Sequence, residues 1–335
     1  MFFVHTVLSS FIRRDLEILE KHFDVRRASI ETFLVPRKNK NPLEFFRLFK
    51  GILWTDVAFT WFADVNAFFM TFLCKFLRKK SLIVVGGYDV IYVPKIDYGD
   101  LKSNFARVRT KLVLEHATRI LPFSYYAKDK VLDITRKADL RVIQLACDTD
   151  RFKPSEENKE NLVITVCYVD KSNVKRKGLK TFVGSAKFLP HLKFALIGAH
   201  ADDSVDYLKG ISAPNVEFPG YVTDAELLKW YQRAKVYCQL SYEEGFGVAV
   251  VEAMACECVP VAGKEAKVLK ETVGYCGFYV PYGDVEATAE AVEKAASVSQ
   301  EVRTAARQRA KALFSIGRRE KELLNLINDV VGVHG

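Results

Sequence analysis

Short apolar runs and amphipathic stretches alternate along this chain, and the alternation runs twice, on either side of a charged segment at residues 153–161. The first series reads as strands at 2–6, 57–62, 82–85, 119–122 and 141–144, with helices at 10–23, 67–80 and 125–136. The second reads as strands at 162–168, 193–197, 216–218, 236–240 and 259–262. Its helices fall at 179–188, 224–233, 248–256, 285–296 and about 300–331. Such an order favours parallel strands, because each helix must carry the chain back across a sheet face. The separating segment, KPSEENKEN, holds a proline and no aliphatic or aromatic residue, so it reads as a linker. The expectation is two doubly wound, Rossmann-like α/β domains. They cover 1–152 and 162–310, joined by a linker at 153–161, and a helical stretch at 311–335 returns to the first domain. Ligands of such folds bind at the carboxyl ends of strands, often between domains.

Charge is unevenly placed. Residues 1–150 hold 25 Lys+Arg against 17 Asp+Glu, while residues 151–335 hold 25 against 24. A basic first half attracts anions such as phosphates or lipid headgroups. No nucleic-acid-binding motif accompanies the charge, so nucleic acid is not expected as a partner. The seven cysteines are scattered without framework spacing, which fits reduced thiols and a cytoplasmic location. Cys256 and Cys258 are too close for a zinc knuckle, and no metal is expected. The first ten residues are apolar but lack a basic leader and a small-residue cleavage site.

Residues 53–77 are strongly apolar, yet Asp56, Asp64 and Asn66 interrupt them, so no clean run is long enough to span a bilayer. The segment reads as a buried strand, a turn and a helix. A sharper expectation is that the helix, capped by Arg78, Lys79 and Lys80, touches a membrane surface.

The chemistry concentrates at 236–262. A buried strand, VYCQL, enters the turn SYEEGFG, an apolar helix follows, and VPVA is the next strand. Backbone N–H groups at Gly245, Phe246, Gly247 and Val248 would open the helix and offer a site for anions and hydroxyls. Glu244 stands just before the turn, placed to accept hydrogen bonds from sugar hydroxyls. Glu252 lies more than one helical turn further on and would reach a ribose diol. Both could instead cap the helix start. GFGVAV also partly matches a dinucleotide fingerprint, but the third glycine is missing and Glu243 and Glu244 would repel a pyrophosphate. Asp148 and Asp150 mimic a metal-binding D-x-D, though their place before the linker favours a turn.

These residues resemble the group 1 retaining glycosyltransferases, whose mark is E-x7-E enclosing G-F-G, here Glu244 to Glu252. The likeness extends to the run from Val142 to Pro154, the basic element Arg176-Lys177-Gly178, the turn Phe218 to Asp224 and the segment Phe278 to Asp284. It implies a GT-B fold, two such domains facing across a cleft, with acceptor bound by the first domain and nucleotide sugar by the second. It implies that Lys177, assisted by Arg176, binds the donor diphosphate and stabilises the leaving group. Glu252 would hold the ribose, and Glu244 with the backbone of Phe246 and Gly247 the donor sugar. Val222 would meet the base through its backbone. The chain departs from the pattern in places. Cys167-Tyr168 stands where Gly-Arg is usual. The first N-terminal loop carries Ser9 and Ser10 instead of glycines. Gly86-Gly87-Tyr88-Asp89 ends the strand where a histidine site is usual, which makes Asp89 a candidate catalytic contact.

The expected function is retaining, metal-independent and cofactor-free transfer of a sugar from a nucleotide-diphosphate sugar to an acceptor hydroxyl. The basic first half, its apolar helix and the Arg37-to-Lys40 run point to an anionic or lipid-linked acceptor, or a polysaccharide, at the inner membrane face. The alternative is a noncatalytic nucleotide-sugar-binding protein of the same fold. A phosphorylase, which would need lysine-bound pyridoxal phosphate, is the weaker rival.

Overall fold

The computed structural model describes residues 1–29 and 43–332, so the basic run at 37–40 lies outside the described residues. The chain divides into two compact units. One comprises Met1–Leu145 with Arg319–Gly335, and the other Ala146–Arg318.

The first unit holds strands β1 (Phe2–His5), β2 (Arg26–Ser29), β3 (Val57–Trp61), β4 (Lys80–Val85) and β5 (Arg119–Pro122). Its helices are α1 (Ser10–His22), α2 (Leu43–Trp54), α3 (Val65–Phe76), α4 (Asn104–His116) and α5 (Tyr125–Ile134). The strands pair in parallel in the order β2-β1-β3-β4-β5. β3 is buried along its whole length, as a central parallel strand covered on both faces must be. The turn before α3 is set by Asp64, whose carboxylate accepts from the N–H groups of Asn66 and Ala67. Residues 53–77 therefore resolve into the end of α2, then β3 and α3. Among the described residues no helix is long and apolar enough to cross a membrane.

The second unit holds β6 (Glu160–Val166), β7 (Lys193–Ile197), β8 (Val216–Gly220), β9 (Ala234–Gln239), β10 (Val259–Gly263) and β11 (Phe278–Val280). Helices α6 (Lys171–Arg176), α7 (Leu179–Ser185), α8 (Ser204–Ile211), α9 (Asp224–Arg233) and α10 (Val248–Ala255) come first. α11 (Val268–Val273), α12 (Val285–Ala296), α13 (Gln300–Phe314) and α14 (Ile316–Val331) follow, and α14 passes into the first unit at Arg319. The sheet order is β11-β10-β9-β6-β7-β8, again parallel. Each order reverses once, between β1 and β3 in the first sheet and between β6 and β9 in the second. Helices leave opposite faces at such a point, and a crevice opens at the carboxyl ends of the strands.

Three expectations change. Residues 141–144 form no strand. Arg141 and Ile143 donate to Ile120 O and Pro122 O, but the carbonyls of Ile143 and Gln144 are taken by the Arg319 guanidinium, at 2.8 Å each. The helical stretch at 300–331 breaks at Ser315, whose backbone is extended, and Phe314 O accepts from Cys147 N. The 153–161 segment is tied into the second unit, because the Lys159 ammonium donates to the carbonyls of Tyr231, Gln232 and Ala234. Asp148 makes a turn, accepting from the N–H groups of Asp150 and Arg151.

Candidate functional site

In the second unit the reversal point lies between the ends of β6 and β9. β9 leads directly into the SYEEGFG turn. Tyr237, Gln239 and Ser241 share one face at the two-residue period of a strand. Their polar ends form a chain. Tyr237 Oη donates to Gln239 Oε1 at 3.0 Å, and Gln239 Nε2 donates to Ser241 Oγ and to Glu244 Oε2, each at 2.9 Å. Ser241 Oγ reaches the same carboxylate at 3.3 Å.

The opposing wall is the Arg176-Lys177-Gly178 turn that ends α6 and leads into α7. Gly178 has φ +64°, and a Cβ there would lie 2.4 Å from Leu240 O, so only glycine lets this turn sit against the end of β9. Arg176 O accepts from Tyr242 N at 2.8 Å, and Tyr282 Oη donates to Lys175 O at 2.5 Å. This clamp brings Lys177 Nζ into a direct hydrogen-bonded ion pair with Glu244 Oε2, with Arg176 Nη1 at 3.8 Å. The three side chains are mostly buried, at 12–15% exposure. Burial alone would push the Glu244 carboxyl up. The Lys177 and Arg176 charges outweigh it and, with the hydrogen bonds from Lys177 and the Gly245 N–H, hold it at about 2. A fixed carboxylate thus stands beside two cations at a strand end, a layout that can position a hydroxyl and neutralise an anion.

Gly247, at φ +87°, opens α10 in a left-handed conformation that favours glycine. The first turn of that helix carries N–H groups with no intrahelical acceptor, and Val248 is its first residue. Phe246 follows the two glutamates in the turn. Its ring is buried and packs edge-on against Phe314 at 5.4 Å, which pins the turn to α13. Glu252 sits on α10 and accepts from the buried Tyr231 hydroxyl at 3.3 Å. Val222 lies in the turn between β8 and α9, where Thr223 and Glu226 form a capping box. Cys167 follows β6. Burial pushes its thiol up to about 11, against the pull of Lys177 and Arg176, so it brings no charge to the site.

The remaining candidates lie in the first unit, at its own strand ends. Ser9 Oγ is buried with no partner among the described residues, and Ser10 is exposed. Gly86 and Gly87 follow β4 and are buried. Asp89 is 2% exposed, and its two oxygens accept from Gly86 N and Ala63 N, each at 2.9 Å, so it fastens the loop after β4. Burial pushes its carboxyl up to about 6, although those backbone donors oppose the shift. A raised carboxyl contributes most below the unfolded value near 3.8, and that contribution is lost as pH rises through about 6. The stability advantage of wild type over Asp89→Asn should therefore shrink by on the order of 2 kcal/mol over that window. Denaturant unfolding of both proteins across the window measures it, and a constant difference would refute the assignment.

Sequence reasoning did not single out Gln239 and Tyr237. Their signal was present as polar groups at alternate positions of an otherwise apolar strand. Among the described residues no group of three or more His, Cys, Asp or Glu could hold a metal ion.

Comparison with known proteins agrees with this geometry. Residues 148–313 match the family described as glycosyl transferases group 1. The chain is 27% identical to the capsular polysaccharide biosynthesis glycosyltransferase CapM of Staphylococcus aureus, over 55% of this chain and 53% of that protein. It is 38% identical to the O-antigen chain mannosyltransferase B of Escherichia coli, over 22% and 19%. The chain thus spans about half the length of the first of these relatives and about a fifth of the second. Sucrose-phosphate synthase from Thermosynechococcus elongatus superposes with a TM-score of 0.76 at 16% identity, covering 99% of both chains. Anabaena HepE in complex with UDP and glucose superposes with a TM-score of 0.77 at 15% identity, covering 98% of this chain and 99% of that one. These likenesses establish the GT-B fold, two Rossmann-like parallel-sheet units. The family match falls on the unit that holds Lys177, Glu244 and Glu252, and that unit belongs to the group 1 glycosyltransferases.

Proposed function

We propose that this chain is a retaining hexosyltransferase that moves a sugar from a nucleotide-diphosphate sugar to an acceptor hydroxyl. The observation that carries the reading is the buried Lys177–Glu244 pair, with Arg176 beside it, at the strand end that opens α10. In the proposed step the acceptor oxygen bonds to the anomeric carbon on the face from which the diphosphate departs. The carbon–oxygen bond to the diphosphate breaks, and a phosphate oxygen receives the acceptor proton. Lys177 and Arg176 stabilise the charge growing on the leaving group, a task that fixed cations perform without a metal. Glu244 orients the sugar and Glu252 the ribose. Neither acts as a nucleophile, in contrast to the paired carboxylates of glycoside hydrolases. The backbone at Val222 faces the base, and Gly245 to Val248 line the donor's approach. The serines at 9 and 10 and the glycines at 86 and 87 would serve the acceptor side. The excess of basic residues in the first half favours an anionic or lipid-linked acceptor at the inner face of a membrane, or a charged polysaccharide.

Cys167 supports a second reading, a noncatalytic nucleotide-sugar-binding protein, because its buried thiol adds no cation next to the diphosphate position. UDP is the first ligand to test, since HepE was solved with it. UDP and UDP-sugars should raise the melting temperature, by the equivalent of about 2.7 kcal/mol at a hundredfold excess over Kd. The UDP shift should shrink in Lys177→Ala more than the UDP-sugar shift, because free UDP carries the leaving-group charge that this lysine meets. Slow hydrolysis or transfer of the donor separates the enzyme from the binding protein, and no shift with any nucleoside diphosphate would refute both.

A further inference from the structure

The first unit contains a second cavity that the transfer reading does not use. It has a volume of 530 Å³, within the range of small-molecule sites, and lies among the 90–101 loop, α4 and α5. Its wall is built and fixed. Val93 and Tyr98 exchange backbone hydrogen bonds at 2.7 and 3.3 Å, Leu101 N donates to Ile91 O, and Asp100 pairs with the nearly buried Arg109 of α4. Arg107 Nε donates to Leu101 O at 2.9 Å. The lining is mainly apolar, with Ile91, Val93, Leu101, Val108 and Ile134.

Charge at this cavity is one-sided. Arg107, Lys111 and Lys130 line it, against a single carboxylate, Asp133, which Lys130 meets at 2.8 Å. At its mouth, α4 leaves Val108 of the lining and, one helical turn away outside it, Phe105 turned to solvent at 59% and 63% exposure. An apolar hollow lined in part by cations, beside exposed apolar side chains, matches one ligand chemistry. It fits a phosphate with a hydrocarbon chain attached. Inorganic phosphate would leave the apolar wall unfilled, and a peptide would strand backbone polar groups against it.

We infer that this cavity binds the phosphate headgroup and first chain segment of a membrane lipid, with Arg107, Lys111 and Lys130 holding the phosphate and Val108 and Ile134 the chain. The inference is independent of the sugar-transfer reading and holds whether or not the bound lipid is an acceptor.

Two probes test it on the full chain. Octyl phosphate should raise the melting temperature more than inorganic phosphate or octanol at equal concentration, and Val108→Asp should abolish the extra rise. Vesicles of phosphatidate and phosphatidylcholine in equal parts should pull the protein down on sedimentation, and phosphatidylcholine alone should not. Lys111→Gln should weaken that partition about fivefold, the loss for one basic residue at an anionic surface. Lys21→Gln, on the exposed face of α1, should leave it unchanged. An equal loss from Lys21→Gln would mean that general basic charge draws the chain to the vesicle, and would overturn the site. So would octyl phosphate acting no better than inorganic phosphate. Octyl phosphate binding without vesicle binding would overturn the membrane source.

Discussion

Lys177→Ala should lower donor turnover by a factor of about 100 to 1,000, the usual cost of removing one fixed charge-stabilising donor. The loss should fall mainly on kcat, because the charge that Lys177 meets grows as the diphosphate leaves. Lys177→Arg should recover part of it, since the cation is kept while its geometry changes. The substitution also strands Glu244, whose carboxyl is held at about 2 mainly by Lys177 and Arg176 against burial. Removing one partner of a buried pair destabilises more than removing both. Lys177→Met with Glu244→Gln should therefore be more stable than Lys177→Met alone while remaining inactive. Steady-state assays with a turned-over donor, beside melting temperatures of the four variants, separate the chemical loss from the structural one. Turnover of Lys177→Ala within a few-fold of wild type would end the proposed role of this lysine.

Much of this site was legible in the sequence because its geometry depends on local rules. Gly178 and Gly247 mark backbone that side chains oppose, and the spacing of Glu244 and Glu252 follows from a turn that opens a helix. The alternation of strands and helices likewise dictated two parallel sheets. What escaped was decided at long range. β2 reads RRAS and is largely exposed, an edge strand with no apolar signature, so its pairing with β1 supplies the only signal. Asp89 offered a carboxylate near a strand end, and nothing local told that Ala63 N would claim it. Residues 141–144 have strand-like composition, but their carbonyls answer to an arginine 175 or 176 residues away. The Lys177–Glu244 pair joins residues 67 apart, and the family likeness implied a separate role for each but not their pairing.

That distant arginine carries the largest stability prediction. Arg319 donates to both oxygens of Asp15 at 2.5 and 2.6 Å, across 304 residues of sequence, and to the carbonyls of Ile143 and Gln144. Arg319 is 3% exposed and Asp15 is fully buried, so water cannot replace the lost partner. Arg319→Met should cost about 3–5 kcal/mol, because it leaves a buried carboxylate and two carbonyls unsatisfied. Against a typical net stability of about 5–15 kcal/mol, that loss removes much of what holds the first unit together. The guanidinium also lies 6.0 Å over the Trp61 ring, so indole fluorescence reports the change directly. Asp15→Leu combined with Arg319→Met should recover part of the loss, since the buried charge is then gone, although the carbonyls stay unpaired. Urea unfolding followed by fluorescence gives both numbers. A cost below about 1 kcal/mol for Arg319→Met would match an exposed pair instead and would show that this arginine does not fasten α14.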